Sequence, residues 1–285
     1  MSTPFVYEEK LLHELFQSQA KRTPDRIAII DGPPGQVVRQ LTYAELDAQT
    51  DTLAFWLRSQ GVREDSIVPI YMSRCLEFSI CYIAILKAGG AYLPLEVGYP
   101  QEMMLRVLEE TAPVVTLTMG RHAGSLPAGI HRFELEPGWL QAATLPEAVV
   151  AALPPMTTSL SSLAYCVYSS GTTGIPKGIL CPHRGAVLSY QYRQHTTPYA
   201  LDGSDREACN VFFVWEMLRP LLHGAALVVI PDTVIYDPPT LCSFLQTHGV
   251  TRMLFTPSLC ESGMFGVGVF KLPYYILDGN LCIYH

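Results

Sequence analysis

Leu163-Ala-Tyr-Cys-Val-Tyr-Ser-Ser-Gly-Thr-Thr-Gly-Ile-Pro-Lys-Gly178 passes from a short apolar run straight into a loop of small residues. Leu163–Tyr168 has the length and apolar content of a buried strand. After it, four hydroxyls (Ser169, Ser170, Thr172, Thr173) and three glycines (Gly171, Gly174, Gly178) crowd around one cation, Lys177. Glycine carries no Cβ, so backbone N–H groups there can approach a ligand closely, and the hydroxyls add donors. Lys177 adds a point charge suited to phosphate oxygens. A loop that leaves a buried strand in this way lies at a sheet's carboxyl edge, where α/β proteins bind ligands. A generic Ser/Gly stretch would instead read as a flexible linker. The embedded Pro176-Lys177 and the strand before it argue against that. The segment is not a P-loop, which needs Gly before its Lys and Ser or Thr after it. Gly266-Val-Gly268 begins a dinucleotide fingerprint, but Lys271 stands where the third glycine belongs.

Working outward, helical and strand patterns alternate along the chain, which predicts an α/β protein with a largely parallel sheet. Leu11, Leu12, Leu15 and Phe16 mark an opening helix that ends at Thr23-Pro24. A second helix is expected from about Tyr43 to Ser59, stopped by Gly61. The next segments read as a strand at Ile67–Met72, a helix at Cys75–Lys87 closed by Gly89-Gly90, and a buried strand at Ala91–Leu95. Val114–Thr118, Ala226–Ile230, Arg252–Phe255 and Tyr274–Leu277 are further strands, and Leu241–Thr247 is a helix. Residues 123–162 are Pro-, Gly- and Leu-rich without period, and read as one long connection.

Composition sets the class. Of 285 residues, 49% are hydrophobic and 16% charged, enough to bury a sizeable core and far from a disordered chain. The 19 Lys and Arg against 26 Asp and Glu give a net charge of −7, with no basic run, which argues against a duplex nucleic-acid reader. No apolar run reaches the roughly 18–20 residues of a membrane span, and the N-terminus lacks a signal peptide's pattern. The eight cysteines are scattered without CxxC spacing and read as buried hydrophobes of a reducing, cytoplasmic compartment. No residue is assigned to a metal.

At residues 163–178 the chain resembles the adenylate-forming (AMP-dependent synthetase/ligase) superfamily, and most closely the amino-acid adenylation domains of nonribosomal peptide synthetases. Other segments agree in order: Leu12-His-Glu-Leu-Phe16, Arg22-Thr-Pro-Asp25, Leu41-Thr-Tyr-Ala-Glu-Leu46, Leu86-Lys-Ala-Gly-Gly-Ala-Tyr-Leu-Pro-Leu95, Val214-Trp-Glu-Met217 and Leu221-Leu-His-Gly-Ala225. The resemblance implies the large N-terminal domain of that fold, built of stacked α/β subdomains. It also implies activation of a carboxylic or amino acid by ATP and Mg²⁺ as an acyl-adenylate, with pyrophosphate released and the acyl group passed to a phosphopantetheine carrier thiol. Ser169, Ser170, Gly171, Thr172, Thr173, Gly174 and Lys177 would hold the phosphates. Val211, Phe212, Trp215 and Ser258 would line the acyl pocket. Val211 falls where amino-acid activators carry an aspartate for the α-amino group, although the short stretch before Val214 leaves Asn210 as the other candidate for that contact. The same apolar residues also read as plain core. An apolar group cannot pair with a buried ammonium, so a β-amino, aryl or other carboxylic acid is expected over an ordinary α-amino acid.

Beyond Tyr274-Tyr-Ile-Leu-Asp-Gly279 the family's remaining motifs have no counterpart. These are the Tyr-Gly-Pro-Thr-Glu type motif, the ribose-holding Asp, and the small C-terminal lid with its catalytic lysine. The expectation is a partial AMP-binding domain over 1–285 with an aberrant end at about 280–285. An alternative function is a catalytically incompetent nucleotide- or acid-binding remnant, and an acyl-CoA ligase is a further one.

Overall fold

A computed structural model of the chain describes residues 5–136, 138–169, 176–209, 214–255, 274–277 and 280–282. In chain order the strands are β1 (Ile27–Asp31), β2 (Arg39–Thr42), β3 (Ile67–Tyr71), β4 (Ala91–Pro94), β5 (Thr116–Thr118), β6 (Arg132–Glu134) and β7 (Leu163–Ser169). They continue as β8 (Lys177–Pro182), β9 (Arg206–Cys209), β10 (Ala226–Val229), β11 (Arg252–Phe255), β12 (Tyr274–Leu277) and β13 (Asn280–Cys282). They form two largely parallel sheets, each in its own compact unit, in keeping with the expected division into α/β subdomains.

The first unit comprises Met1–Leu15, Leu46–Ser73 and Glu77–Tyr192. Its sheet runs β6-β5-β3-β4-β7-β8. The first five of these strands are parallel and β8 returns antiparallel to β7. The helix Leu76–Lys87 is apolar on nearly every side, and residues 79–86 are all buried, as expected of a helix without a polar face. It ends on Gly89 in the left-handed region (φ +85°), while the Gly90 N–H donates to Ile85 O at 3.0 Å. A Cβ on Gly90 would come within 2.9 Å of Ser66 O, so that glycine is required by close approach. The second unit comprises Phe16–Glu45, Arg74–Leu76 and Arg193–His285, and its sheet runs β13-β12-β11-β9-β10-β1-β2. Its interior strands are parallel, while β2 and β13 are antiparallel edges.

Most predicted elements fall where the periodicity puts them, within a few residues. One expectation fails. Residues 123–162 are not a featureless connection: β6 and the short helices Trp139–Ala143 and Glu147–Ala151 lie there, with Leu126, Leu135 and Ala143 buried. Elements of three to five residues are too short for a period to register. Within the last segment, Asn280–Cys282 forms β13 and pairs antiparallel with β12. Among the described residues no helix is long and apolar enough to cross a membrane. Cys75, Cys81, Cys166 and Cys209 are buried, as the cysteine pattern suggested, while Cys181 and Cys242 are half-buried.

Two buried polar arrangements fix the first unit. The Lys87 side chain is 3% exposed, and its ammonium donates to Asp47 Oδ1 at 2.5 Å, Asp47 O at 3.0 Å and Asp51 Oδ1 at 2.7 Å. Asp47 and Asp51 stand one turn apart on the helix Tyr43–Ser59, so both reach the same ammonium. His13 and His183 are buried with ring centroids 5.9 Å apart. The Leu12 N–H donates to His183 Nδ1 at 3.3 Å, which leaves that ring's proton on Nε2. Burial favours the neutral rings; it lowers His13 to about 3, helped by His183 and Lys87, and His183 to about 4.

Two outcomes follow for stability. The double variant Asp47→Asn/Asp51→Asn strands a buried ammonium and should cost about 3–5 kcal/mol, whereas Lys87→Met, which leaves two partly exposed carboxylates, should cost less. Urea unfolding of the two variants tests that order. The unfolded imidazoles titrate near 6.5 and the folded ones far lower, so the unfolded chain takes up protons first as pH falls. The stability they supply is complete above about 6.5 and is lost progressively towards pH 4, at up to about 1.4 kcal/mol per pH unit for each ring. The His183→Asn variant should show a shallower loss between pH 7 and 5; an unchanged slope would exclude this pair as the source.

Candidate functional site

The motif that decided the fold sits on the β7–β8 hairpin of the first unit. Strand β7 is parallel to β4 and delivers its chain to the carboxyl edge of the sheet. The hairpin register ends with Ser169 opposite Lys177, so the two ends of the hydroxyl- and glycine-rich loop lie side by side. Ser170, Gly171, Thr172, Thr173 and Gly174 lie outside the described residues. Lys177 is exposed and, among the described residues, makes no ion pair. A solvated ammonium at the mouth of a loop is available to a polyanion without first leaving a carboxylate, so this part of the site fits a phosphate-bearing ligand.

The residues assigned to the acyl pocket belong to the second unit. Val211, Phe212, Ser258 and the alternative Asn210 lie outside the described residues, and Trp215 falls in the helix Val214–Leu221. The strands that lead to these segments are nonetheless placed. β9 and β11 are parallel neighbours, with Arg252 opposite Glu207 and Met253 opposite Ala208. Their chains therefore leave the sheet at the same edge, one towards Asn210 and Val211, the other towards Thr256 and Ser258.

Sequence reasoning missed what holds the first of these exits. Glu207, on β9, and Arg219, on the helix Val214–Leu221, are ion-paired with side chains 2% and 4% exposed. They bracket residues 210–213. The Tyr199 hydroxyl donates to the second oxygen of Glu207 and accepts Arg219 Nε at 3.1 Å. The Arg252 guanidinium lies 4.2 Å over the Tyr199 ring and donates to Pro198 O at 2.8 Å. Burial raises the Tyr199 hydroxyl above its ordinary range, with Arg219 and Arg252 opposing, so the phenol remains a donor. A charged pair in a strand and an apolar helix was the available signal, but nothing in the spacing says that the two meet. A cavity of about 450 Å³ between the loop 32–38 and the helix Pro238–Thr247, lined by Pro34, Gln36, Phe244 and His248 among others, contains none of the assigned residues.

The model of the AMP-binding enzyme family matches residues 16–272. The chain belongs to that family. This AMP-binding chain is 40% identical over 250 residues to the glycine betaine reductase ATRR of Emericella nidulans, covering 88% of this chain and 19% of the reductase. It is 35% identical over 260 residues to tyrocidine synthase 3 of Brevibacillus parabrevis, covering 89% of this chain and 4% of that one. It therefore spans about a fifth of the reductase and far less of the synthase. Among solved structures, the nonribosomal peptide synthetase FmoA3 in its α-methyl-L-serine-AMP-bound form superposes with a TM-score of 0.74 at 27% identity, covering 91% of this chain and 28% of that one. VinN, at 22% identity and a TM-score of 0.75, shares the fold, with 90% of this chain matched to 64% of that one.

Cutting one partner of the buried pair should be costly. The Arg219→Met variant leaves Glu207 buried and charged and should lose about 3–5 kcal/mol in urea unfolding. Arg219→Met/Glu207→Leu should regain most of that loss, because an apolar pair of similar volume carries no stranded charge. A double variant as unstable as the single one would count against this account of the network.

Proposed function

We propose that the chain activates a small carboxylic acid with ATP, forming an acyl-adenylate and pyrophosphate for delivery to a carrier thiol. The observation that carries the reading is the pairing of Ser169 with the exposed Lys177 at the mouth of a hydroxyl- and glycine-rich loop, in a chain of the AMP-binding enzyme family. FmoA3, similar over 91% of this chain, has been captured with α-methyl-L-serine-AMP, the product type such a reaction gives, and with AMPPNP. A carboxylate oxygen would attack the α-phosphorus of ATP, the bond from that phosphorus to the β-phosphate's bridging oxygen would break, and pyrophosphate would leave with the electron pair. Lys177 and the loop donors would hold the β- and γ-phosphates, stabilising the charge that builds on the leaving group. Mg²⁺ would neutralise the phosphate oxygens.

For the acid, an apolar Val211 offers no partner to a primary ammonium, and Phe212, Phe213 and Trp215 follow closely. Aromatic faces attract a quaternary ammonium, which has no N–H to satisfy. Together with the 40% identity to a glycine betaine reductase, this favours a betaine-type acid over an α-amino acid. Acid-dependent ATP–pyrophosphate exchange tests both parts with glycine betaine, glycine, proteinogenic α-amino acids, β-alanine and benzoate. Glycine betaine should support exchange at least about tenfold faster than glycine, the factor that one unpaired buried group commands. Lys177→Ala should lower the rate by about 10²–10³-fold, the usual cost of one charge-stabilising donor. A preference for an α-amino acid overturns the substrate assignment, and no exchange with any acid overturns the activation reading.

A further inference from the structure

The phosphate-loop hairpin is held from outside by residues that no motif singled out. Tyr168 is the last residue of β7 before Ser169, and its ring packs against the apolar cluster that includes Met104, Val107, Leu108 and Cys166. Its hydroxyl donates to Glu110 Oε2 at 3.0 Å, across 58 residues of sequence. Arg106 Nε donates to the other oxygen, Glu110 Oε1, at 2.9 Å, one turn back on the helix Gln101–Thr111. Across the hairpin, Tyr168 is paired with Gly178. A Cβ on Gly178 would lie 3.2 Å from Tyr168 Cζ and 3.3 Å from its hydroxyl oxygen. The glycine after Lys177 therefore leaves room for the ring, rather than meeting a turn requirement.

Both strands of the hairpin are thus fixed one residue from the loop ends, Tyr168 beside Ser169 and Gly178 beside Lys177. Burial and the neighbouring Glu110 raise the Tyr168 hydroxyl, which stays a donor, while Arg106 and Tyr168 hold the Glu110 carboxyl below its ordinary value, which keeps it an ionised acceptor. We infer that Tyr168, seated on Gly178 and tied to Glu110 and Arg106, is a positioning residue for the polyphosphate of ATP: it sets the direction in which the hairpin presents Ser169 and Lys177. The inference rests on the activation reading above and adds to it the residues that aim the loop.

A clamp on the phosphate loop has a signature that a merely structural contact lacks. On the activation reading the loop would hold the β- and γ-phosphates, so loosening it should weaken ATP binding and leave AMP binding alone. Calorimetric titration of the full chain with ATP and with AMP reads this directly. Tyr168→Phe, which removes one oxygen, and Glu110→Ala should each weaken ATP binding about three- to tenfold, the range of one hydrogen bond, with AMP affinity changed less than about twofold. Glu110→Gln keeps an acceptor and should restore most of the ATP affinity. The pair Tyr168→Phe/Glu110→Ala should be no worse than either single change, because both break the same bond. Gly178→Ala disturbs the ring from the opposite side and should reproduce the ATP-selective loss. Equal losses for ATP and AMP, additive single effects, or wild-type ATP affinity in Tyr168→Phe would each overturn the clamp while leaving the activation reading intact. Binding of neither nucleotide by the wild-type chain would overturn the activation reading and the clamp with it.

Discussion

Parallel pairing of β7 with β4 is the constraint on which the first unit depends. A parallel strand cannot return through a tight turn to its neighbour, so every crossover must travel around the sheet, and every carboxyl end comes out at one edge. The buried helix Leu76–Lys87 is one such crossover, between β3 and β4, and its lack of a polar face follows from being packed within the unit. β8 breaks the rule by running antiparallel, and that single reversal converts the exit of β7 into a hairpin. The loop between the two strands is then gripped at both ends, with Ser169 and Lys177 as its last register pair. A linker of the same composition would lose far more entropy on ordering around a ligand than a loop whose ends are already fixed.

The second unit solves the same problem with a buried ion pair. Residues 210–213 leave β9 and enter the helix Val214–Leu221, and Glu207 and Arg219 join the two sides of that passage. Burying both charges is expensive, and an apolar pair could pack there as well. What the charges add is direction: Tyr199 and Arg252 complete a set of bonds with few alternative geometries, which is how a polar network specifies one arrangement of the chain.

How much of this was legible in the sequence depended on distance along the chain. Short apolar runs bounded by glycine, such as Ile67–Tyr71 and Ala91–Pro94, announce themselves because strand and stop signal are adjacent. The hydroxyl- and glycine-rich segment 169–178 is readable for the same reason. Its hydroxyls and glycines are consecutive residues, so the pattern needs no partner from elsewhere to be seen. The helix Gln101–Thr111 was not read from the sequence, and only Met104, Val107 and Leu108 are buried among its many polar and charged residues. The short elements within 123–162 were below the length at which a period can register. Glu110 and Arg219 were not legible at all as parts of a site. Each acts on a residue brought to it only by the finished sheet.

A polyanion is better tolerated by an acidic chain where the nearby carboxylates are already occupied. With 26 acidic residues against 19 basic ones, the global field disfavours any polyanion, and attraction of one would have to be local. The described ion pairs divide the labour accordingly. Asp31 is taken by Arg39, Asp47 and Asp51 by Lys87, Asp232 by Arg74, and Glu207 by Arg219. Glu110, the carboxylate tied to the phosphate hairpin through Tyr168, is bonded on both oxygens, by Arg106 and by the tyrosine hydroxyl. Its charge is thereby drawn towards the helix rather than the loop. Lys177, by contrast, belongs to none of these pairs. A cation already paired would have to be desolvated and released before it could serve a phosphate, whereas one held at the end of a rigid hairpin gives up only water. Around the hairpin, the occupied Glu110 carboxylate and the unpaired Lys177 ammonium together favour an anion at the loop mouth.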